Sequence, residues 1–264
     1  MAMTHAEKRV YLIRYLLDEG GYANPVPADE ASQRAMLRAL MNVRAPGPIG
    51  ADFLEAQDEY LREVTAEKGV VDADGIPFAQ GKLCVWRGDI TRLRIDAIVN
   101  AANSGLTGCY QPNHGCIDNI IHTMAGVQLR ERCAELMEAQ GFPEPTGGAK
   151  LTPAWNLPCR FVIHTVGTIC SGGVVTAKNV RELESCYRAC LDIADENGVR
   201  SIAFCCISTG VFGFPQRRGA EVAVRTVRDC LERGSRVEKV VFNVFKPEDE
   251  TYYRELLRPG DCGA

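Results

Sequence analysis

No stretch of this 264-residue chain approaches the roughly 20 apolar residues of a membrane span. The opening segment, MAMTHAEKRVYLIRYLLDEG, is interrupted at Arg9, Arg14 and Asp18. It therefore lacks the unbroken apolar run of about 7–15 residues that marks a secretory leader. From these two absences a cytoplasmic protein with no membrane contact is expected. A basic excess is missing as well, since 30 Lys and Arg stand against 34 Asp and Glu, a net charge of −4. Nucleic-acid binding is therefore not expected, although a local pocket for a small anion is compatible with this balance. The chain also has no internal repeat and no low-complexity tract. Its length suits one large domain, or one domain with an appended segment.

Cysteine is plentiful, with twelve in the chain. A disulfide scaffold is normally short and exported, which fits neither the length nor the N-terminus. Cys84, Cys133, Cys186, Cys190, Cys205, Cys206 and Cys230 lie in apolar or helical segments and read as small buried hydrophobes. Cys109 and Cys116 differ, because they sit in a polar loop containing Gly, Pro and Asn.

The first 80 or so residues read as helical. Val10, Ile13 and Leu17 share one face, with Leu12 and Leu16 beside them. Asp29 is a candidate N-cap for a second helix striped by Met36, Leu37, Leu40 and Met41. The run Ala45-Pro46-Gly47-Pro48 must break it, and a third helix carries Phe53, Leu54, Tyr60, Leu61 and Val64. These stripes are packing faces, so the region is assigned a structural or substrate-shaping role and no chemistry. From about residue 82, short β-rich runs at 83–86, 97–99, 161–166, 202–206 and 240–245 are separated by helical patterns at 118–139, 176–197, 216–233 and 248–257. Strands with almost no polar alternation indicate a sheet covered on both faces. Their alternation with helices predicts an α/β architecture with mostly parallel pairing. We expect a helical N-terminal extension, residues 1–80, packing on a main domain of residues 81–264.

Four segments are polar or glycine-rich at the ends of apolar strands, where ligands of open α/β sheets bind. Arg87-Gly88-Asp89-Ile90-Thr91 closes the first strand. The strand at 97–99 runs into Asn100 and Asn103, whose carboxamides can hold sugar hydroxyls or serve turn chemistry. Ser208-Thr209-Gly210-Val211-Phe212-Gly213-Phe214-Pro215 joins a strand to a helix. It can turn backbone amides toward an anion, or be a plain tight connection. It matches neither the Walker nor the dinucleotide pattern. The fourth, residues 108–118, carries Cys109, His114 and Cys116 in a C-x4-H-x-C spacing. Three such ligands suit zinc with an open fourth position, and two incidental thiols with a loop histidine are the alternative. His122 and His164, in a helix and a strand, read as hydrogen-bonded core residues.

Taken together, GDIT, DAIVNAAN, the run C-I-D-N-x-I-H-x-x-A-G at 116–126, FVIHTVG and STGVFGFP resemble the macrodomain family, in this order, over residues 82 to about 257. The cysteine–histidine insertion before Asp118 and the helical extension resemble its zinc-dependent subgroup. The resemblance implies a three-layer α/β/α fold with a mixed, mostly parallel central sheet. It also implies a hydrolase that removes ADP-ribose from mono-ADP-ribosylated proteins, with Zn2+ as cofactor. Asp89 would hold the adenine amino group, with the Ile90 backbone beside it. Asn100 and Asn103 would face the distal ribose. The backbone of Ser208, Thr209, Gly210, Val211, Phe212 and Gly213 would cradle the diphosphate, with Phe212 packing on the ribose. Asp118 occupies the acidic position near the scissile bond, so Asp118 and Asn103 are the catalytic candidates. The usual glycine-rich run before Asp118 is replaced by Asn-His-Gly-Cys, a departure that favours metal participation. A sirtuin-type ADP-ribosyltransferase is the opposing enzyme that the resemblance suggests. An ADP-ribose reader with structural zinc, or an O-acyl-ADP-ribose deacylase, would use the same pocket.

Overall fold

Three helices open the chain, each with its own local start. In the computed structural model, which describes residues 3–258, α1 (His5–Gly20) begins at Thr4. There the hydroxyl accepts from the Glu7 amide while the Glu7 carboxylate accepts from the Thr4 amide, a reciprocal cap. Helix α2 (Glu30–Val43) starts on Asp29, whose carboxylate accepts from the Ser32 amide, as the sequence predicts. Replacing such a cap by Ala costs about 1 kcal/mol. After the Pro46–Pro48 break comes α3 (Ala51–Lys68). Buried Leu12, Ile13, Leu16, Leu37, Phe53 and Tyr60 close the three onto one another. Lys8 adds ion pairs to Glu59 and Glu63, each at 2.7 Å.

The helical stretch stops at Lys68, short of the 80 residues expected. Strand β1 (Val71–Asp72) pairs with β4 (Leu93–Arg94) as a small parallel sheet. Strand β2 (Phe78–Gln80) forms one edge of the main sheet. Strands of two and three residues are too short to carry a period, which is why the pattern missed them.

The remaining strands are β3 (Leu83–Arg87), β5 (Ala97–Ala102), β6 (Ala149–Pro153), β7 (Phe161–Val166), β8 (Ser201–Phe204) and β9 (Lys239–Val244). They assemble with β2 in the order β2-β3-β9-β8-β5-β7-β6. The five inner strands are parallel, and β2 and β6 are antiparallel edges. This is the mixed, mostly parallel sheet that was expected. The expected runs 202–206 and 240–245 end early, since Cys205, Cys206 and Phe245 lie beyond their strands. Phe245 is 77% exposed, because the chain has already turned out of the sheet.

Helices α4 (Ile117–Ala125) and α5 (Val127–Gln140) replace the single helix expected over 118–139. The break is Gly126 at φ 99, where a Cβ would stand 2.6 Å from the Gln57 side-chain nitrogen. Gln57 of α3 caps α5 there, its carbonyl oxygen accepting from the Val127 amide at 2.9 Å. His164 of β7 faces α5 through Cys133, whereas Thr165, on the other face of the strand, meets Cys186 of α6 (Ala177–Glu196). Helix α6 packs on α7 (Gln216–Glu232), and α7 on α8 (Pro247–Leu256). Helices thus cover both faces of the sheet, giving the three layers. The expected main domain extends to residue 264, and its last six residues lie outside those described.

Candidate active site at the carboxyl ends of the strands

Strand β3 ends into Asp89, whose Oδ1 accepts from the Thr91 amide at 3.0 Å and the Thr91 hydroxyl at 2.6 Å. One carboxylate oxygen is thereby spent on the turn, while Oδ2 lies 3.8 Å from Lys68 Nζ. The Ile90 side chain is buried beneath.

Asp118 stands in the first turn of α4, above β5. Its Oδ1 accepts from Asn100 Nδ2 at 2.8 Å, and Asn103 Nδ2 reaches its Oδ2 at 3.4 Å. Burial pushes the Asp118 carboxyl up to about 6, against the Asn100 hydrogen bond and the Arg130 charge. The two asparagines play different parts. Asn100 has no exposed surface and lies one layer below the rim. Its amide is divided between Asp118 and His164 Nδ1, 3.1 Å away. It therefore braces Asp118 instead of facing outward, the orientation that was expected of it. Asn103 is exposed, donating to the Gly108 carbonyl at 3.0 Å and accepting from the Gly105 amide at 2.9 Å. The turn chemistry and the rim position coexist in this one residue.

His164 is neutral by construction. Nδ1 accepts from Asn100, which leaves the proton on Nε2 to donate to the Thr152 hydroxyl at 3.0 Å. Burial holds its pKa down to about 3. His122 is also buried, 3.6 Å from Asp118 Oδ1, but neither ring nitrogen has a hydrogen-bond partner among the described residues. The expectation of a hydrogen-bonded core histidine thus fits His164 and not His122.

Cys109, His114 and Cys116 come together half-buried at the rim, with their ligand atoms all within 4.8 Å of one another. Cys109 Sγ lies 3.4 Å from His114 Nδ1. Tetrahedral zinc, with bonds of about 2.3 Å to sulfur and 2.0 Å to nitrogen, separates its ligands by roughly 3.5 Å. The Cys109–His114 pair already stands at that separation. Cys116 is also the N-cap of α4, its sulfur accepting from the Asn119 amide at 3.4 Å. Burial pushes the Cys116 thiol up to about 11, against that amide and with Cys109 adding to the rise. The donor set fits zinc.

On the other side of β5, the loop after β8 folds largely on its own backbone. The Phe214 amide donates to the Ser208 carbonyl, and the Gly213 amide to the Gly210 carbonyl, both at 3.0 Å. The amides of Gly210, Val211 and Phe212 stay uncommitted among the described residues, and Val211 is 78% exposed. That is the arrangement a phosphate nest requires. Gly213, at φ 72, passes so close to the neighbouring loop that a Cβ would stand 2.9 Å from the Cys170 carbonyl oxygen. Gly167 abuts the Ser208 hydroxyl in the same way. The 167–170 wall is signalled in the sequence only by FVIHTVG, which runs into it at Gly167. A cavity of about 430 Å3 between Pro48, Leu54 and Trp155 lies apart from these strand ends.

The protein is thus a three-layer α/β/α fold with uncommitted backbone amides, a buried carboxylate and a cysteine–histidine cluster at its strand ends. Residues 99–223 match the Macro domain family. A protein-ADP-ribose hydrolase of Treponema medium is 53% identical over 261 residues, 97% of this chain and all of that one. One of Staphylococcus aureus (strain MSSA476) is 48% identical over 84% of each chain. A Trypanosoma brucei macrodomain solved in complex with ADP-ribose superposes with a TM-score of 0.63 at 29% identity, covering 83% of this chain and 94% of that one. The chain belongs to the macrodomain family.

Proposed function

We propose that this protein is a zinc-dependent hydrolase that removes ADP-ribose from mono-ADP-ribosylated proteins. The observation that carries the reading is the first turn of α4. Its N-cap, Cys116 of the candidate metal trio, stands two residues from a buried carboxylate, Asp118, which the asparagines of β5 and its following loop hold in place. The activity that the Treponema and Staphylococcus relatives bear in their names supports the same reaction.

In this reading Asp89 Oδ2 takes the adenine amino group, and the free amides of Gly210, Val211 and Phe212 take the diphosphate. Binding energy at these remote groups holds the distal ribose in register against the α4 N-terminus. Asn103 orients a ribose hydroxyl. Asp118 Oδ2 is the oxygen that orients the attacking water and receives its proton. Asn100 and, behind it, neutral His164 prevent that carboxylate from rotating away. Cys109, His114 and Cys116 would hold the metal, which when bound supplies Lewis-acid polarisation beside the scissile bond. The products are free ADP-ribose and the unmodified side chain. A sirtuin-type transferase as the opposing enzyme and a cytoplasmic location belong to the same proposal. No described helix is long and apolar enough to cross a membrane.

The test is release of ADP-ribose from a mono-ADP-ribosylated protein by wild type and by Asp118→Asn, with ADP-ribose affinity measured alongside. We expect the variant to bind ADP-ribose while turnover falls by about 10²–10⁴-fold, the range for a lost general base. Equal turnover by the two would remove Asp118 from the mechanism. A wild type that binds ADP-ribose but never releases it from protein would make the domain a reader.

A further inference from the structure

The loop that carries Cys109, His114 and Cys116 does little to hold itself in place. Between Leu106 and Gly115 its own backbone supplies a hydrogen bond from the His114 amide to the Gln111 carbonyl, while Gly108 and Asn113 adopt positive φ. The order comes from side chains outside the loop, and two of them, Arg38 and Asn42, belong to α2.

Arg38 of α2 is the central one. Its Nη2 donates to the His114 carbonyl at 2.6 Å and to Asn119 Oδ1 at 2.7 Å, and its Nε donates to the same Oδ1 at 3.2 Å. These contacts span 76 and 81 residues of sequence. With its oxygen held, the Asn119 amide turns its Nδ2 into the loop, donating to the Cys109 carbonyl at 3.2 Å and the Gln111 carbonyl at 3.0 Å. One guanidinium thus fixes the peptide of His114 directly and that of Cys109 through Asn119. The Asn119 backbone amide meets the third ligand, Cys116 Sγ. Asn42, one turn further along α2, accepts from the Asn113 amide at 3.0 Å. Arg130 of α5 closes the frame. It donates to the Thr107 carbonyl at 2.7 Å and to the α2 carbonyls of Met41 and Asn42 at 3.0 and 2.9 Å, and its guanidinium lies over the Tyr110 ring.

The three Arg38 bonds all end on neutral oxygens. A partly buried guanidinium without a carboxylate partner among the described residues is an expensive way to join two helices, and an apolar contact would serve packing as well. Its planar fork does what an apolar contact cannot, because it sets the angle of two acceptors at once. We propose that α2 is part of the active site, with Arg38 as the positioning residue that preorganises the three metal ligands and sets their metal affinity. This rests on the reading of Cys109, His114 and Cys116 as a metal site.

The experiment uses the full chain, as wild type, Arg38→Met and Arg38→Lys, with two readouts. Zinc affinity is measured by competition with a chromophoric chelator. Amide hydrogen exchange of residues 109–116 is measured on metal-free protein, and circular dichroism and ADP-ribose affinity check the fold. Loss of an outer partner of a metal ligand typically lowers affinity by about 10–100-fold, and that is the drop expected for Arg38→Met. Arg38→Lys should fall between, since an ammonium can reach one acceptor but cannot fork onto two. It is also the usable variant if Arg38→Met does not fold. Exchange in the loop should quicken in both variants with ADP-ribose affinity held. A residue that only joins α2 to α4 would lower thermal stability without moving zinc affinity. Wild-type zinc affinity and wild-type loop exchange in both variants would overturn the inference. If wild type itself takes up no zinc while the variants still loosen the loop, the metal reading fails and the positioning role stands.

Discussion

The loop after β8 and the loop after β5 flank the same rim, yet they are ordered by opposite means. The 208–214 loop is closed by its own carbonyls and amides, and glycine at 213 lets it lie against the Cys170 carbonyl. Beyond the Asn103 turn, the loop that reaches Cys116 depends on Arg38, Asn42, Asn119 and Arg130, drawn from three helices. A nest for a diphosphate needs only backbone amides, which any sequence supplies once the turn is allowed. A metal site needs three side chains at bond-length accuracy, which a glycine-containing loop cannot impose alone. The difference predicts that the two halves can be broken separately.

The largest separation should come from Cys116→Ala. Turnover should be lost and metal content should fall, while ADP-ribose still binds at the 208–214 loop; calorimetry and metal analysis on one sample check both. The same variant removes the α4 N-cap, so melting should report a loss of about 0.5–2 kcal/mol as well. Wild-type turnover by metal-free Cys116→Ala would sink the assignment.

Gly213→Ala should do the reverse. A side chain at φ 72, 2.9 Å from a backbone oxygen, is strained by about 1–3 kcal/mol. If about 1.4 kcal/mol of that falls on the bound state, ADP-ribose affinity drops roughly tenfold. Zinc stoichiometry should stay at the wild-type value, and a parallel loss of zinc would mean that the two loops are one cooperative unit.

These contrasts follow what was legible in the residues. The buried strands and their polar ends were readable because a covered parallel strand has an apolar signature and its chemistry begins where that signature stops. GDIT, DAIVNAAN and STGVFGFP sit at such stops, as does Cys109-x4-His114-x-Cys116. Arg38 and Asn42 were not readable. They lie on a helix whose stripe of Leu37, Leu40 and Met41 reads as packing, and their partners are some 70 to 80 residues away. Asn100 and Asn103 looked alike in sequence. Only the sheet shows that strand alternation sends Asn100 inward under Asp118, while Asn103, past the strand end, stays at the rim. The break at Gly126 was hidden for a similar reason, because the Gln57 cap that supports it comes from α3.

Asn42→Ala is a smaller test on the metal side. Leaving the Asn113 amide and the Thr123 hydroxyl without Asn42 should cost about 1–3 kcal/mol of stability. Exchange should quicken at Asn113, with ADP-ribose affinity unchanged. Smallest of all, chelation of the wild type should shift ADP-ribose affinity by less than about threefold, under 0.7 kcal/mol, since the proposed adenine and diphosphate contacts lie on other loops.

The most direct measurement of the central claim follows ADP-ribose release from a mono-ADP-ribosylated protein before chelation, after chelation and after zinc is restored, with metal content determined at each stage. The account predicts that release disappears with the zinc and returns with it. An undiminished rate in protein verified to be free of metal would contradict it.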